Sequence, residues 1–334
     1  MGSKALLTHS CTAALEMAAL LIDIGPGDEV IMPSYTFVST ANAFALRGAT
    51  PIFVDIDPIT LNIDARLIEQ SISSKTKAIV VVHYAGVGCA MHEVMDIARR
   101  HNLFVVEDAA QGIISYIDES PLATIGDIGC FSFHETKNLI CGEGGALIIN
   151  NSSLFDRAEV IREKGTNRSS FFRGQVDKYT WVDIGSSYLP GELNAAFLLA
   201  QLQSAHHITS ERLQLWNQYD KYLKSHPFYS RYQLPSPPIY TTHNAHIYFI
   251  IFDSLPQRTH FIEEMKSLGV QSVFHYVPLH TAPAALNFFK TDINLPVTVN
   301  ISERLVRLPL YLGLNQELVF TALDEYAQKN LSST

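Results

Sequence analysis

Asp108 and Lys137 are the two residues whose types and settings could carry chemistry together. Lys137 lies in Phe131-Ser132-Phe133-His134-Glu135-Thr136-Lys137-Asn138, which closes an apolar run. The Gly-rich turn Gly142-Glu143-Gly144-Gly145 and a second apolar run, Ala146 to Ile149, come next. That order predicts strand, loop, strand, with the lysine in the loop. Upstream, Leu103-Phe104-Val105-Val106-Glu107-Asp108 reads as a buried-type strand that ends in an acid. In open α/β sheets ligands bind beyond the carboxyl ends of the strands. A lone loop lysine is by default a solvated charge. One paired with an acid at a strand end could share a ligand with it. An amine that forms a Schiff base, with an acid that holds a pyridinium nitrogen, is the pairing that pyridoxal phosphate (PLP) requires.

The elements that must position this pair are legible in outline. Thr8 to Thr12 reads as a loop opening an Ala- and Leu-rich helix to Leu21. Ser10 or Thr12 can cap that helix, and its free amides suit a phosphate. Short buried strands are expected at Glu29–Met32, Thr50–Val54 and Ala78–His83. Helices are expected around Ala65–Ser71 and Met91–His101. Such alternation predicts an α/β fold with a mostly parallel sheet and helices on both faces. Gly86-Val87-Gly88 follows a strand but lacks the third glycine of a dinucleotide fingerprint, so a dehydrogenase is disfavoured. His83, at a strand end, keeps two readings open: substrate contact or satisfied structural histidine. A helix is expected at Gly191–Ser204. After about His206 the pattern changes to a long helix, Ile208–Lys224, and a proline-rich stretch, Leu234–Pro238. A strand at Ile247–Phe252, a helix at Thr259–Leu268 and a strand at Gln271–Tyr276 follow. This predicts two domains, 1–205 and a smaller α+β unit, 206–334.

Five segments occur in an order that resembles one family. They are Ser10-Cys11-Thr12-Ala13-Ala14-Leu15, Pro33 to Thr40, Val82-His83-Tyr84-Ala85-Gly86, Val106 to Gly112 and the lysine stretch. The chain resembles fold-type I PLP-dependent aminotransferases that act on nucleotide-linked keto-sugars. The resemblance implies that the Cys11 amide, Thr12 and Ser132 hold the cofactor phosphate. It implies that Phe37 stacks on the pyridine, Asp108 binds the ring nitrogen, Gln111 lies near the phenolic oxygen and Lys137 carries the cofactor. It also implies a homodimer, L-glutamate as amino donor and a dTDP-4-keto-6-deoxyhexose as acceptor. Substrate contacts are expected at His83, Tyr84, Arg168, Arg173, Lys178 and His280, the last in Val277-Pro278-Leu279-His280. The segment Glu163–Tyr188, rich in cations and aromatics, resembles the 4-aminating members in particular. A 3-keto-sugar aminotransferase and a PLP-binding relative without turnover are the alternatives. A dehydratase of this family would carry histidine in place of Lys137.

Two departures bear on these expectations. Family members carry several dozen residues ahead of the Ala5-Leu6-Leu7 run, which build an N-terminal helix and part of the dimer's sites. That segment is expected but absent, so the start lies upstream of Met1 or the form is truncated. Many members place Asn or Arg in the segment where this chain has Ser187 and Leu189. Leucine cannot donate a hydrogen bond to a phosphate across the interface.

Bulk composition sets the remaining bounds. Of 334 residues 47% are hydrophobic and 17% charged, with a formal charge of −9. A nucleic-acid partner is disfavoured by that charge. Cys11, Cys89, Cys130 and Cys141 lack metal-ligand spacing, and the expectation is no metal and reduced thiols in a cytoplasmic protein. No apolar run approaches the roughly 20 residues of a membrane span.

Overall fold

The computed structural model describes residues 3–331. The family segment expected ahead of Ala5-Leu6-Leu7 lies outside those residues. The strands are β1 Lys4–Thr8, β2 Glu29–Pro33, β3 Thr50–Val54, β4 Thr76–Val82, β5 Phe104–Asp108, β6 Tyr116–Ile117, β7 Ser120–Pro121, β8 Ile128–Ser132, β9 Gly145–Ile149, β10 Thr241–Thr242, β11 Tyr248–Ile251 and β12 Leu305–Leu308. The helices are α1 Cys11–Leu21, α2 Val38–Ala45, α3 Ala65–Ile68, α4 Met91–His101, α5 Phe155–Arg162, α6 Arg168–Phe172, α7 Glu192–Gln203, α8 Ala205–Ser225, α9 Leu255–Ser267, α10 Pro296–Arg304 and α11 Gln316–Leu331.

Seven strands form one sheet in the order β1-β9-β8-β5-β4-β2-β3. The pairs β2–β3, β2–β4, β4–β5 and β5–β8 are parallel. The pairs β8–β9 and β1–β9 are antiparallel. β8 and β9 are buried along their whole length, as continuous apolar runs require when both faces are covered. One face packs on α1, α2 and α5, through Leu15, Phe44 and Ile161 among others. The other packs on α3, α4 and the α7–α8 junction, through Ile68, Val94, Leu198 and Ile208. α1 is buried on nearly every residue, which its small alanines permit.

A second core gathers Trp216, Tyr219 and Leu223 of α8 with β11, β12, α9 and α11. α8 therefore runs unbroken from the large-sheet core, at Ala205 and Ile208, into the second. α9 begins at Leu255, earlier than the expected Thr259, because Ser254 caps it by accepting from the Gln257 amide and Pro256 fits the first turn. The expected strand at Gln271–Tyr276 is an extended segment with one bridge, Val273 to Arg307. The carbonyl of His275 instead accepts from the Tyr35 hydroxyl at 2.6 Å, so a side chain takes the place of a strand partner. Among the described residues no helix is long and apolar enough to cross a membrane.

Candidate active site

The topology brings the last residues of β5, β8 and β1 and the first of β9 to one edge of the sheet. Thr8 pairs with Gly145, Gly145 with Ser132, and Asp108 with Cys130. α1 starts at this edge. A Cβ on Gly145 would stand only 2.4 to 2.5 Å from the Ser10 carbonyl carbon and the Cys11 nitrogen, so only glycine lets β9 meet the helix start. Ser132 thereby comes beside the first turn of α1.

That first turn is prepared for an anion. Ser10 Oγ accepts from the Ala13 amide at 3.0 Å, which leaves the amides of Cys11 and Thr12 directed out of the helix. The Cys11 thiol stays protonated, since burial and then the Asp108 charge push its pKa well up. Thr12 Oγ1 lies 2.7 Å from Ser39 Oγ, tying α1 to the start of α2.

Asp108 is nearly buried at the end of β5. Its Oδ2 accepts from Thr40 Oγ1 at 2.7 Å and its Oδ1 from the Ala110 amide at 3.1 Å. Phe37 immediately precedes α2, one residue from Thr36, whose hydroxyl lies 2.8 Å from that of Thr40. Its ring is 59% exposed and free to meet a flat ligand. Gln111 Oε1 accepts from the Ala85 amide at 2.7 Å, and its Nε2 donates to the Tyr276 hydroxyl at 2.8 Å. One N–H of that amide remains for a ligand.

Lys137 sits in the β8–β9 loop, its amide bonded to the His134 carbonyl at 2.9 Å. Burial lowers its pKa, the Cys11 and Asp108 side chains act the other way, and Arg307 lowers it further. The amine is thus biased toward the neutral, nucleophilic form. The loop is held from the other side by Asn138. Its Nδ2 donates to the Asn244 carbonyl at 2.9 Å, and its Oδ1 lies 2.9 Å from His246 Nδ1.

These groups fit PLP: an amine with lowered pKa, an acid at the same edge, an exposed ring at the start of the helix that holds the acid's partner Thr40, and free amides with Ser132 for a phosphate. Asp108, Lys137, Cys11, Thr12, Phe37, Gln111 and Ser132 lie around one edge. Thr40, Asn138 and Tyr276 complete it without having been singled out from the sequence. Only proximity along the chain, Thr40 to Phe37 and Asn138 to Lys137, offered a signal.

The expected substrate contacts are buried in structural roles, bonded apart from these groups or, for Lys178, exposed. His83 is corrected to its structural reading: it is fully buried, with Nε2 2.9 Å from Glu107 Oε2 and Nδ1 accepting from the Cys89 amide. Glu107 also accepts from the amides of Ala123, Ile125 and Gly126, and so builds the loop into β8. Tyr84 is likewise corrected, since its ring is buried among Tyr35, Phe249, His275 and Tyr276. His280 is buried with Nδ1 2.7 Å from Ser34 Oγ, pinning its loop to the end of β2. Arg173 forks onto Glu159 at 2.7 and 3.0 Å. Arg168 lies over the Phe172 ring and near Glu163. Lys178 is exposed. Among the described residues none of these three cations bonds to Lys137, Asp108 or the start of α1.

Residues 2–324 match the DegT/DnrJ/EryC1/StrS aminotransferase family. Uncharacterized protein MJ1066 of Methanocaldococcus jannaschii is 34% identical over 97% of this chain and 85% of its own. The aminotransferase TlmJ from Streptoalloteichus hindustanus superposes with a TM-score of 0.89 at 28% identity, over 99% of this chain and 86% of that one. The PLP form of the sugar aminotransferase Spr1654 from Streptococcus pneumoniae gives 0.87 at 26% identity, over 98% and 87%. The overall fold is thus shared with these aminotransferases, and the chain belongs to the DegT/DnrJ/EryC1/StrS aminotransferase family.

Proposed function

We propose that this sugar aminotransferase, whose cofactor is pyridoxal phosphate, moves the amino group of L-glutamate to carbon 4 of dTDP-4-keto-6-deoxy-D-glucose. The product, dTDP-4-amino-4,6-dideoxy-D-galactose, would serve a cell-surface polysaccharide of the enterobacterial common antigen type. The observation that carries the reaction type is the convergence of Lys137, Asp108 and the free amides of α1 on one sheet edge. Bound there, PLP supplies an electron sink for the carbanion formed at an amino acid's α-carbon.

Each residue then has a defined task. The amides of Cys11 and Thr12, with the Ser132 hydroxyl, hold the phosphate. Asp108 keeps the pyridine nitrogen protonated through a charge-assisted hydrogen bond, oriented by Thr40. Phe37 covers one ring face. Lys137 would carry the cofactor, and its amine, when free, would accept and return a proton at the donor's α-carbon. Its lowered pKa, caused first by desolvation, favours that role.

The acceptor is inferred from the segment Glu163–Tyr188, whose sequence resembles dTDP-4-amino-4,6-dideoxygalactose transaminase. Trp181 there is 76% exposed, and Phe172 and Tyr179 are also exposed beside Arg168 and Lys178. Aromatic faces and cations of this kind suit a thymine and a diphosphate. A homodimer is supported by α7, an apolar helix with Leu193, 87% exposed, and Phe197, Leu199 and Leu202 also exposed. A second copy covering α7 would bury them, and a cytoplasmic location fits all of this. Product analysis tests the reading: an amine at carbon 4 with galacto configuration supports it. An amine at carbon 3, or no turnover with any dTDP-keto-sugar, overturns it.

A further inference from the structure

β12 is held on both sides at one residue. Arg307 pairs with Phe249 of β11, and its amide donates to the Val273 carbonyl at 2.7 Å. Side chains alternate along a strand. Val306 and Leu308 enter the second core, whereas Leu305 packs with Tyr35 and Ile56 toward the large sheet. Arg307 shares the face of Leu305, so its guanidinium stands on the side of the lysine loop. A cavity of about 610 Å³ opens there, and its lining includes Arg307, His246, Thr136, Arg212, Tyr311 and Asn315. Thr136 directly precedes Lys137.

The guanidinium has no resident counter-charge. Among the described residues no carboxylate lies within ion-pair distance of it, and its buried Nε lacks a hydrogen-bond partner. Its nearest titratable neighbours do not compensate it. His275 is driven down to about 2 by burial and then by Arg307, and Tyr276 is pushed up to about 12 by burial, so both remain neutral. His246 is held well below its usual value by burial. An unpaired cation in a partly desolvated site is costly unless a ligand completes it.

We propose that Arg307 is the anchor for a carboxylate of the amino donor, in a subsite between β12 and the lysine loop. The planar fork of arginine matches a carboxylate in two parallel hydrogen bonds. An amino acid bound this way presents its nitrogen toward Lys137, whose loop forms the cavity wall. This assignment rests on the donor being an amino acid such as L-glutamate, as inferred above.

The test uses the PLP-loaded protein with Arg307→Gln and Arg307→Lys. The expected result is a rise in KM for L-glutamate on the order of 10²-fold in Arg307→Gln, with kcat/KM for the keto-sugar changed by less than about threefold. Arg307→Lys recovers part of the loss. Binding of glutarate, a dicarboxylate without an amine, is followed by calorimetry as a readout independent of turnover. The parent binds it and Arg307→Gln does not, with thermal melting confirming that both are folded. A rise in KM for the keto-sugar alone assigns Arg307 to the diphosphate and overturns the proposal. Unchanged donor KM and glutarate binding overturn it as well. If the parent accepts another amino acid but not L-glutamate, the donor reading fails while the same KM comparison with that amino acid still decides the role of Arg307. A parent that accepts no amino acid overturns both.

Discussion

Thr40 Oγ1 donates to Asp108 Oδ2 at 2.7 Å, and Thr36 Oγ1 lies 2.8 Å from Thr40 Oγ1. A hydroxyl has one proton, and Thr40 spends it on the carboxylate, so Thr36 is the donor to Thr40. The relay fixes the carboxylate from the α2 side, while the Ala110 amide fixes it from the strand end. Thr40→Val keeps the shape and removes the donor. We expect kcat to fall about tenfold, from roughly 1.5 kcal/mol of lost hydrogen bond to a charged group. Thr40→Ser should restore most of it, and a Thr40→Val enzyme with the parent's kcat would remove Thr40 from the site.

Asp108→Asn retains size but loses the charge that holds the ring nitrogen protonated. The rate should fall on the order of 10²-fold or more. Single-turnover kinetics with L-glutamate measure it, and a variant as fast as the parent would show that Asp108 is not the ring partner.

Lys137→Ala should abolish turnover and leave the fold intact, because a half-buried loop lysine contributes little packing. Borohydride reduction of the yellow PLP-loaded parent should attach the cofactor to the peptide that contains Lys137. Label on a different lysine refutes the assignment.

Acid should destabilise the protein through a partly buried histidine, His243. Burial drives His243 down to about 4, with its ring 4.5 Å from Trp216. The folded pKa lies below the unfolded value of about 6.5, so the unfolded chain binds the proton first as pH falls. Stability is complete above about pH 6.5 and declines toward pH 4. The loss from this group is about 2 kcal/mol by pH 5. Denaturant melts at pH 7.5 and 5 should show a shallower pH dependence for His243→Asn, and an identical slope would contradict the account.

Charging the exposed face of α7 should weaken the proposed homodimer. Leu193→Glu with Phe197→Glu is expected to raise the dimer dissociation constant roughly 100-fold or more. Sedimentation velocity at micromolar concentration reads this directly. A parent that is monomeric with PLP bound would argue against shared sites.

What the linear order alone determined is local. The apolar runs read at Leu103–Asp108 and Ile125–Phe133 contain β5 and β8, which end within one residue of those runs. The glycines at 142, 144 and 145 marked the turn that returns the chain. Those signals sufficed to nominate Asp108 and Lys137, because ligands gather where buried strands stop. Ser254 and Pro256 also carried the earlier start of α9, as a cap and a first-turn proline, although the apolar pattern begins later. Tertiary structure decided what depended on contacts distant in sequence. Thr40 reaches Asp108 across 68 positions, Asn138 reaches His246 across 108, and Gln111 reaches Tyr276 across 165. His83 turned inward because Glu107, on the adjacent strand, offered a partner for one ring nitrogen while the Cys89 amide took the other. Arg307 came to face the lysine loop only because strand alternation placed it on the face of Leu305. Spacing along a chain carries periodicity and turns. It does not carry which face of one element meets which face of another, and that meeting sets the burial and the partners that separate a site residue from a structural one.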